Sequence, residues 1–310
     1  MWRKAVFIIL VLFCLSPYGS APVALALGLA LALTLGNPFP QLTGKRATYL
    51  LQASVVMLGF GMNLEAVYNA GKSGIAFIVA VISSALVLGF LFGRFLKLPK
   101  RITTLVSTGT AICGGSAIAA VGPAIKAESD EMSVSLGTIF VLNAVALFTF
   151  PLIGHSLGMS QNQFGMWAAI AIQDTSSVVG ASSAYGPEAL AVAATVKLAR
   201  ALWIAPIALA LAFIFREKDA KAKIVIPWFI FLFVLAAAIR TFSPAFIFPS
   251  MFEGLVNLAK AGFTVTLFLI GLSLSREMLK KVGVRPFLLG AMLWVVIASA
   301  TLFAVLRILE

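Results

Sequence analysis

Three charged residues stand inside apolar stretches of the chain: Asp174, Lys197 and Arg200. A charge facing lipid is costly, so each is expected to face protein or a water-filled cavity. Lys197 and Arg200 lie three residues apart in ATVKLARALW, hence on one face of a helix. The chemistry they offer is recognition of an anion. Asp174 would then serve as counter-ion, proton carrier or sodium ligand. A structural Asp174–Arg200 pair is the alternative, and the two readings are compatible.

Asp174 belongs to the second of two unusual segments, 102–127 and 164–187. Both are apolar, both are rich in Gly, Ser, Thr and Ala, and both close near a Gly-Pro pair. The first reads TAICGGSAIAAVGPAIKA from Thr110; the second reads IAIQDTSSVVGASSAYGPEAL from Ile170. Ala111–Ser116 aligns with Ala171–Ser176, and in the helices that follow Thr138 and Asn143 fall opposite Thr195 and Arg200. Non-helical backbone at membrane depth is tolerated where it lines a cavity or is buried in protein. A helix broken there exposes free N–H groups and a partial positive charge, which bind anions without Lys or Arg. The candidate substrate-binding residues are therefore Cys113, Gly114, Gly115 and Ser116 at the first break, and Thr175, Ser176 and Ser177 at the second. Lys197 and Arg200 complete the set. Asp174 and Asn143 are the candidate ion-coupling residues. The competing reading is that these small residues only let helices pack closely.

The elements that position these groups follow from composition. Of 310 residues, 61% are hydrophobic and 11% charged, against about 25% charged in an average soluble domain. This excludes a soluble enzyme, a nucleic-acid module and a disordered chain. The expected fold is an all-α polytopic membrane protein with about nine to eleven helices. Spans are expected over 2–18, 21–36, 47–62, 74–92, 132–154, 188–215, 224–240, 254–274 and 286–308. The first resembles a signal peptide, but a second apolar run follows directly, so it reads as an uncleaved span anchored by Trp2 and Tyr18. The net charge of +12 gathers in short loops: Lys45 and Arg46, then Arg94, Lys97, Lys100 and Arg101, the linker 216–223, and the cluster Arg276, Lys280, Lys281 and Arg285. With the N-terminus cytoplasmic, all of these fall inside; Lys72, Arg240 and Arg307 fall outside.

That orientation requires the two unusual segments to contribute an even number of crossings together. If both crossed fully, the helices after them would run in the same direction. If both are re-entrant hairpins, those helices run oppositely and the internal repeat is inverted, as is common in secondary transporters. A second similarity, between residues 58–74 and 269–284, inverts in the same way. The hairpin arrangement is the expected one.

Other polar groups carry less. Lys126 and Lys260 are expected to snorkel, His155 to be structural, and Asn63 and Glu65 to sit at a span end. Cys14, Cys113 and His155 have no metal-ligand spacing. No cofactor is expected beyond a coupling Na⁺ or H⁺.

The segment TGTAICGGSAIAAVGPAIKA, with QDTSSVVGASSAYG, ATVKLAR and GFGMNL, resembles the YeiH family of bacterial inner-membrane proteins, whose members are labelled sulfate exporters. In many members a His precedes the Asp where this chain has Gln173, so no titrating imidazole is expected there. The resemblance covers nearly the whole chain. It implies a secondary carrier of a small anion such as sulfate, a sulfonate or a small carboxylate. It implies a distant kinship to bile-acid symporters and sodium–proton antiporters, alternating access of the elevator type, and a homodimer. In that scheme a core over 102–215, with both hairpins, moves against a scaffold over 1–92 and 224–310. A cation–proton antiporter using Asp174 is the alternative. An intramembrane enzyme using Ser176 or Ser177 with Asp174, and a channel, are remoter ones.

Overall fold

Apolar runs of this kind become helices because backbone N–H and C=O groups surrounded by hydrocarbon must pair within their own segment. The computed structural model describes residues 2–16, 18–39, 43, 46–62, 64–215, 228–243, 249–273 and 282–308. Among these residues there are fourteen helices and no strand. They are α1 (Trp2–Cys14), α2 (Ala21–Thr34), α3 (Ala47–Gly59), α4 (Leu64–Phe95), α5 (Lys100–Ala111), α6 (Gly115–Ala124) and α7 (Ser129–Ser156). The second half comprises α8 (Gln161–Ala171), α9 (Thr175–Tyr185), α10 (Pro187–Ala201), α11 (Ile204–Ile214), α12 (Trp228–Phe242), α13 (Pro249–Ser273) and α14 (Val284–Ile308). Among the described residues five stretches are long and apolar enough to cross a membrane, so this is a multi-pass membrane protein: Ile78–Phe95, Asp130–Ser156, Pro187–Ile214, Ser250–Ser273 and Val284–Ile308. Lys45, Asn63, the linker 216–223 and Arg276, Lys280 and Lys281 lie outside the described residues.

The helix total exceeds the expected nine to eleven because three of the expected units are broken. Both unusual segments split into half-helices. The span 188–215 also breaks after Ala201. Pro206 explains that last break: it offers no N–H, and its ring collides with the carbonyl four residues earlier unless it sits in a first turn. α4 starts ten residues before its apolar run because the polar stretch from Glu65 is helix-compatible without being hydrophobic.

Contacts along α7 settle the directions of the two segments. Gly109 of α5 packs on Ile118 of α6, Gly115 of α6 on Phe140 of α7, and Gly122 on Met132. The 100–124 segment therefore folds back on itself. It begins and ends where α7 begins, at a face bearing Arg94, Lys97, Lys100, Arg101 and Lys126. In the second segment the Tyr185 ring stacks on Phe164 at 3.8 Å and on His155, near the other end of α7, at 4.3 Å. The Gln161 side chain, at the start of α8, accepts the Glu188 N–H at 3.0 Å and so caps α10. The second segment thus begins and ends at the opposite face. α7 and α10–α11 run in opposite directions, as an inverted repeat requires.

Two packing groups result. α2 and α13 approach so closely that Gly28 lies on the Phe268 carbonyl and Gly271 on the Leu25 carbonyl; α3 and α1 pack on that pair, and α12 packs on α3. The hairpins, α7, α10 and α11 form the other group. Two helices outside 102–215 pack chiefly against it: α4 on α5 and α10, and α14 on α5, α7 and α8. Trp167 Nε1 ties α8 to α14 by donating to the Ala298 carbonyl at 2.9 Å.

Candidate substrate site where the hairpin tips meet

α5 rises about 18 Å over its length and α8 about 16 Å, roughly half of a bilayer core of about 30 Å. Their tips therefore meet at mid-depth, beside Asn143 of α7. Gly114 makes the meeting possible. Its backbone at φ 61°, ψ −120° is closed to residues with a side chain. A Cβ there would also stand 3.1 Å from Ile139 and 3.5 Å from the Asp174 Cα. Gln173 Nε2 donates to Thr110 Oγ1 at 3.0 Å, joining the two tips directly.

Four half-helix ends converge here: the C-termini of α5 and α8 and the N-termini of α6 and α9. The C-termini leave carbonyls without intrahelical partners and carry partial negative charge. Lys197 and Arg200, both fully buried, serve these ends. Arg200 Nε donates to the Ala111 carbonyl at 2.7 Å, Nη2 to Thr110 at 2.6 Å, and Nη1 to Ile170 at 2.5 Å and Ala169 at 3.4 Å. Lys197 Nζ donates to the carbonyls of Ile172 at 2.6 Å and Ala169 at 3.3 Å. The two cations do share a helix face, but they address the carbonyl ends of the broken helices and not the N–H ends. No Asp174–Arg200 ion pair forms.

The N-termini are treated differently. Asp174 is the N-cap of α9: its carboxylate accepts the Ser177 N–H at 3.2 Å and hydroxyl hydrogen bonds from Ser176 and from Ser177. Asn143 Oδ1 accepts the Gln173 and Asp174 N–H groups at 3.0 and 3.3 Å. Its repeat counterpart Arg200 supplies donors where Asn143 supplies an acceptor. The α6 N-terminus, by contrast, has no side-chain cap. Cys113 is buried beside it, Gly115 is half-buried and Ser116 is exposed. Thr175 is half-buried at the start of α9. Two buried side-chain atoms at the crossing lack hydrogen-bond partners among the described residues, Asn143 Nδ2 and Gln173 Oε1.

All the expected site residues therefore gather at one place, in different roles. Sequence reasoning missed Thr110, Gln173 and the five carbonyls that Lys197 and Arg200 engage. Thr110 and Gln173 sat inside the recognised motifs, but nothing in their spacing marked them as partners.

Lys260 is exposed, with its side chain at two adjoining recesses at the face opposite the basic one. One, of about 270 Å³, separates α9 (Val179, Ser183) from α13 (Phe263, Thr264). The other, of about 460 Å³, also holds Arg240 and Glu253. The first reaches α9 only to within a turn of its capped start, so it stops short of the crossing.

The family model described as "Conserved hypothetical protein 698" matches residues 11–290. A UPF0324 membrane protein of Bacteroides thetaiotaomicron is 53% identical over 288 residues, covering 93% of this chain and 86% of that one. Similar proteins of the same designation occur in Bdellovibrio bacteriovorus, at 50% identity over 98% of this chain and 94% of that one. One from Geobacter sulfurreducens is 48% identical, with coverages of 97% and 96%. No solved structure matches the chain. With this sequence agreement running the length of a bundle whose two tip motifs form its centre, the chain belongs to the UPF0324 membrane protein family, the YeiH family its motifs resemble.

Proposed function

We propose that this protein is a secondary carrier of a small anion, working by alternating access. The observation that carries the reading is the uncapped α6 N-terminus at the mid-depth crossing, beside the free Asn143 amide donor. Helix N-termini at such breaks bind anions through backbone N–H groups and the helix dipole. Ser116 adds an exposed hydroxyl. Lys197 and Arg200 raise the local potential without touching the ligand. The seam between α9 and α13, with Lys260 on its wall, supports an access route from the opposite face and relative movement of the two packing groups. A homodimer formed through the α2–α3–α13 side is the expected assembly, and a bacterial inner membrane with the basic face cytoplasmic is the expected setting.

A cation–proton antiporter would need Asp174 to exchange its proton for a cation. The carboxylate's commitment to the α9 N-terminus and to two serine hydroxyls favours the anion carrier over that reading. The constellation also lacks a base positioned on Ser176 or Ser177 other than the capping carboxylate, so a carrier is preferred to an intramembrane hydrolase.

The test is thermal unfolding of purified protein with sulfate, a sulfonate, a carboxylate, bicarbonate and phosphate. It is followed by uptake of the best anion into proteoliposomes. Native-state binding stabilises by RT ln(1 + [L]/Kd). A saturable shift with one anion, abolished in Gly114→Ala, supports the reading. Equal responses to every salt, with no uptake, would sink it.

A further inference from the structure

We infer that Lys197 and Arg200 are built-in replacements for a coupling cation, so that ligand binding at the crossing does not use sodium. Carriers with broken helices coordinate Na⁺ through unwound backbone carbonyls and half-helix C-terminal ends. Five such oxygens converge here, those of Thr110, Ala111, Ala169, Ile170 and Ile172, and every one accepts a hydrogen bond from Lys197 or Arg200. Both side chains are fully buried and, among the described residues, pair with no carboxylate. Their positive charge is met by carbonyl dipoles at the two negative helix ends. A sodium ion at the same oxygens would have to displace a cation fixed by the covalent chain, and would be repelled by the one that remained. The carboxylate nearest the crossing, Asp174, is turned to the α9 N-terminus. The chain thus carries its own counter-charges for the negative helix ends, and the gradient that drives it is one of protons or of exchanged anions.

This inference adds the coupling ion to the anion-carrier reading, but its test does not need the anion. Thermal unfolding is compared in chloride salts of Na⁺, ethylammonium and choline at equal ionic strength. The wild type is expected to unfold at the same temperature in all three. Lys197→Ala removes the ammonium from the Ala169 and Ile172 carbonyls. Its melting temperature should fall and then recover, saturably, with ethylammonium and partly with Na⁺, but not with choline. A saturable, sodium-specific stabilisation of the wild type overturns the inference. So does a folded Lys197→Ala variant that ignores both small cations. If Lys197→Ala does not fold, the wild-type comparison still decides. With sulfate added, sodium coupling would appear as about a 5–150-fold change in anion affinity; a value within about twofold is expected. Absence of any anion response, with the cation results as expected, would remove the carrier reading and leave this one standing.

Discussion

The two hairpin tips occupy inverted positions, yet they finish their helix ends in different ways. The second tip is chemically closed. Asp174 caps α9, Asn143 takes the two N–H groups before it, and Gly186 and Pro187 hand the chain directly to α10. The first tip has a glycine in a conformation only glycine holds, no cap on α6, and an exposed Ser116. Its far end also differs: Gly122–Pro123 remains inside the last turn of α6, and Lys126 at φ 50° closes the helix while the Ala127 N–H returns to the Gly122 carbonyl at 2.8 Å. The C-terminal ends of α5 and α8, by contrast, are both served from α10: Arg200 donates to carbonyls of each, and Lys197 adds two bonds on the α8 side. At the crossing itself, the hairpins therefore differ chiefly at the N–H ends. That is where a ligand bearing negative charge would find one hairpin occupied by protein and the other open.

Four substitutions break or sharpen this contrast. Arg200→Ala should do the most damage, because it strips donors from carbonyls on both hairpins at once. A loss on the order of 3–5 kcal/mol, the range for breaking a buried charged network, is expected in thermal or denaturant unfolding, together with loss of anion binding. A stable variant that still binds sulfate would show that the shared carbonyl bracket is dispensable.

Gly114→Ala strains the first tip alone. A side chain at this backbone geometry costs about 1–3 kcal/mol, and the added Cβ also presses on Ile139. Anion-dependent stabilisation should vanish while the second hairpin keeps its packing. Retained binding would move the ligand away from α6.

Asp174→Asn addresses the closed tip. Asn keeps a capping oxygen for the Ser177 N–H but gives up the negative charge facing the helix dipole, about 0.3–1 kcal/mol, so the melting temperature should drop only slightly. Anion affinity should hold or tighten, because a negative charge near the crossing is removed. Weaker anion binding in this variant would put Asp174 to work in the ligand site and revive the antiporter alternative.

Tyr185→Phe is the smallest perturbation at the crossing. It deletes one hydrogen bond, from the Tyr185 hydroxyl to the Met159 carbonyl at 2.6 Å, at the closed end of the second hairpin. About 1 kcal/mol of stability should be lost, with unchanged ligand response. An altered response would mean that the far end of this hairpin communicates with the crossing.

Much of this was legible in one dimension. Apolar runs located the spans because hydrocarbon leaves a backbone no other way to satisfy its polar groups. Gly-Gly in the first motif and Gln-Asp-Thr-Ser in the second marked the breaks, since glycine and short capping side chains are local signals that act within a few residues. Parity of the positive charges, with the weak repeat, pointed to two opposed hairpins. Helix boundaries were less readable. α4 extends through a polar stretch that hydropathy discounts, and the Pro206 break in the span expected over 188–215 passed unnoticed because apolarity continues across it.

What the amino-acid order determined by itself was which residues had to leave lipid: Asp174, Lys197, Arg200 and the two small-residue motifs. Desolvation of a charge or an unpaired backbone group depends on residue type and depth alone. What only the tertiary structure decided was which helix end each of them serves. Four half-helix ends of alternating sign lie within a few ångströms of one another, and a cation on α10 could have faced any of them. The crossing of the tips turns Lys197 and Arg200 to the carbonyl ends and Asp174 to the α9 N–H end. Hydrogen bonds act over about 3 Å, a distance set by how α5, α7, α8 and α10 pack and written in no local pattern.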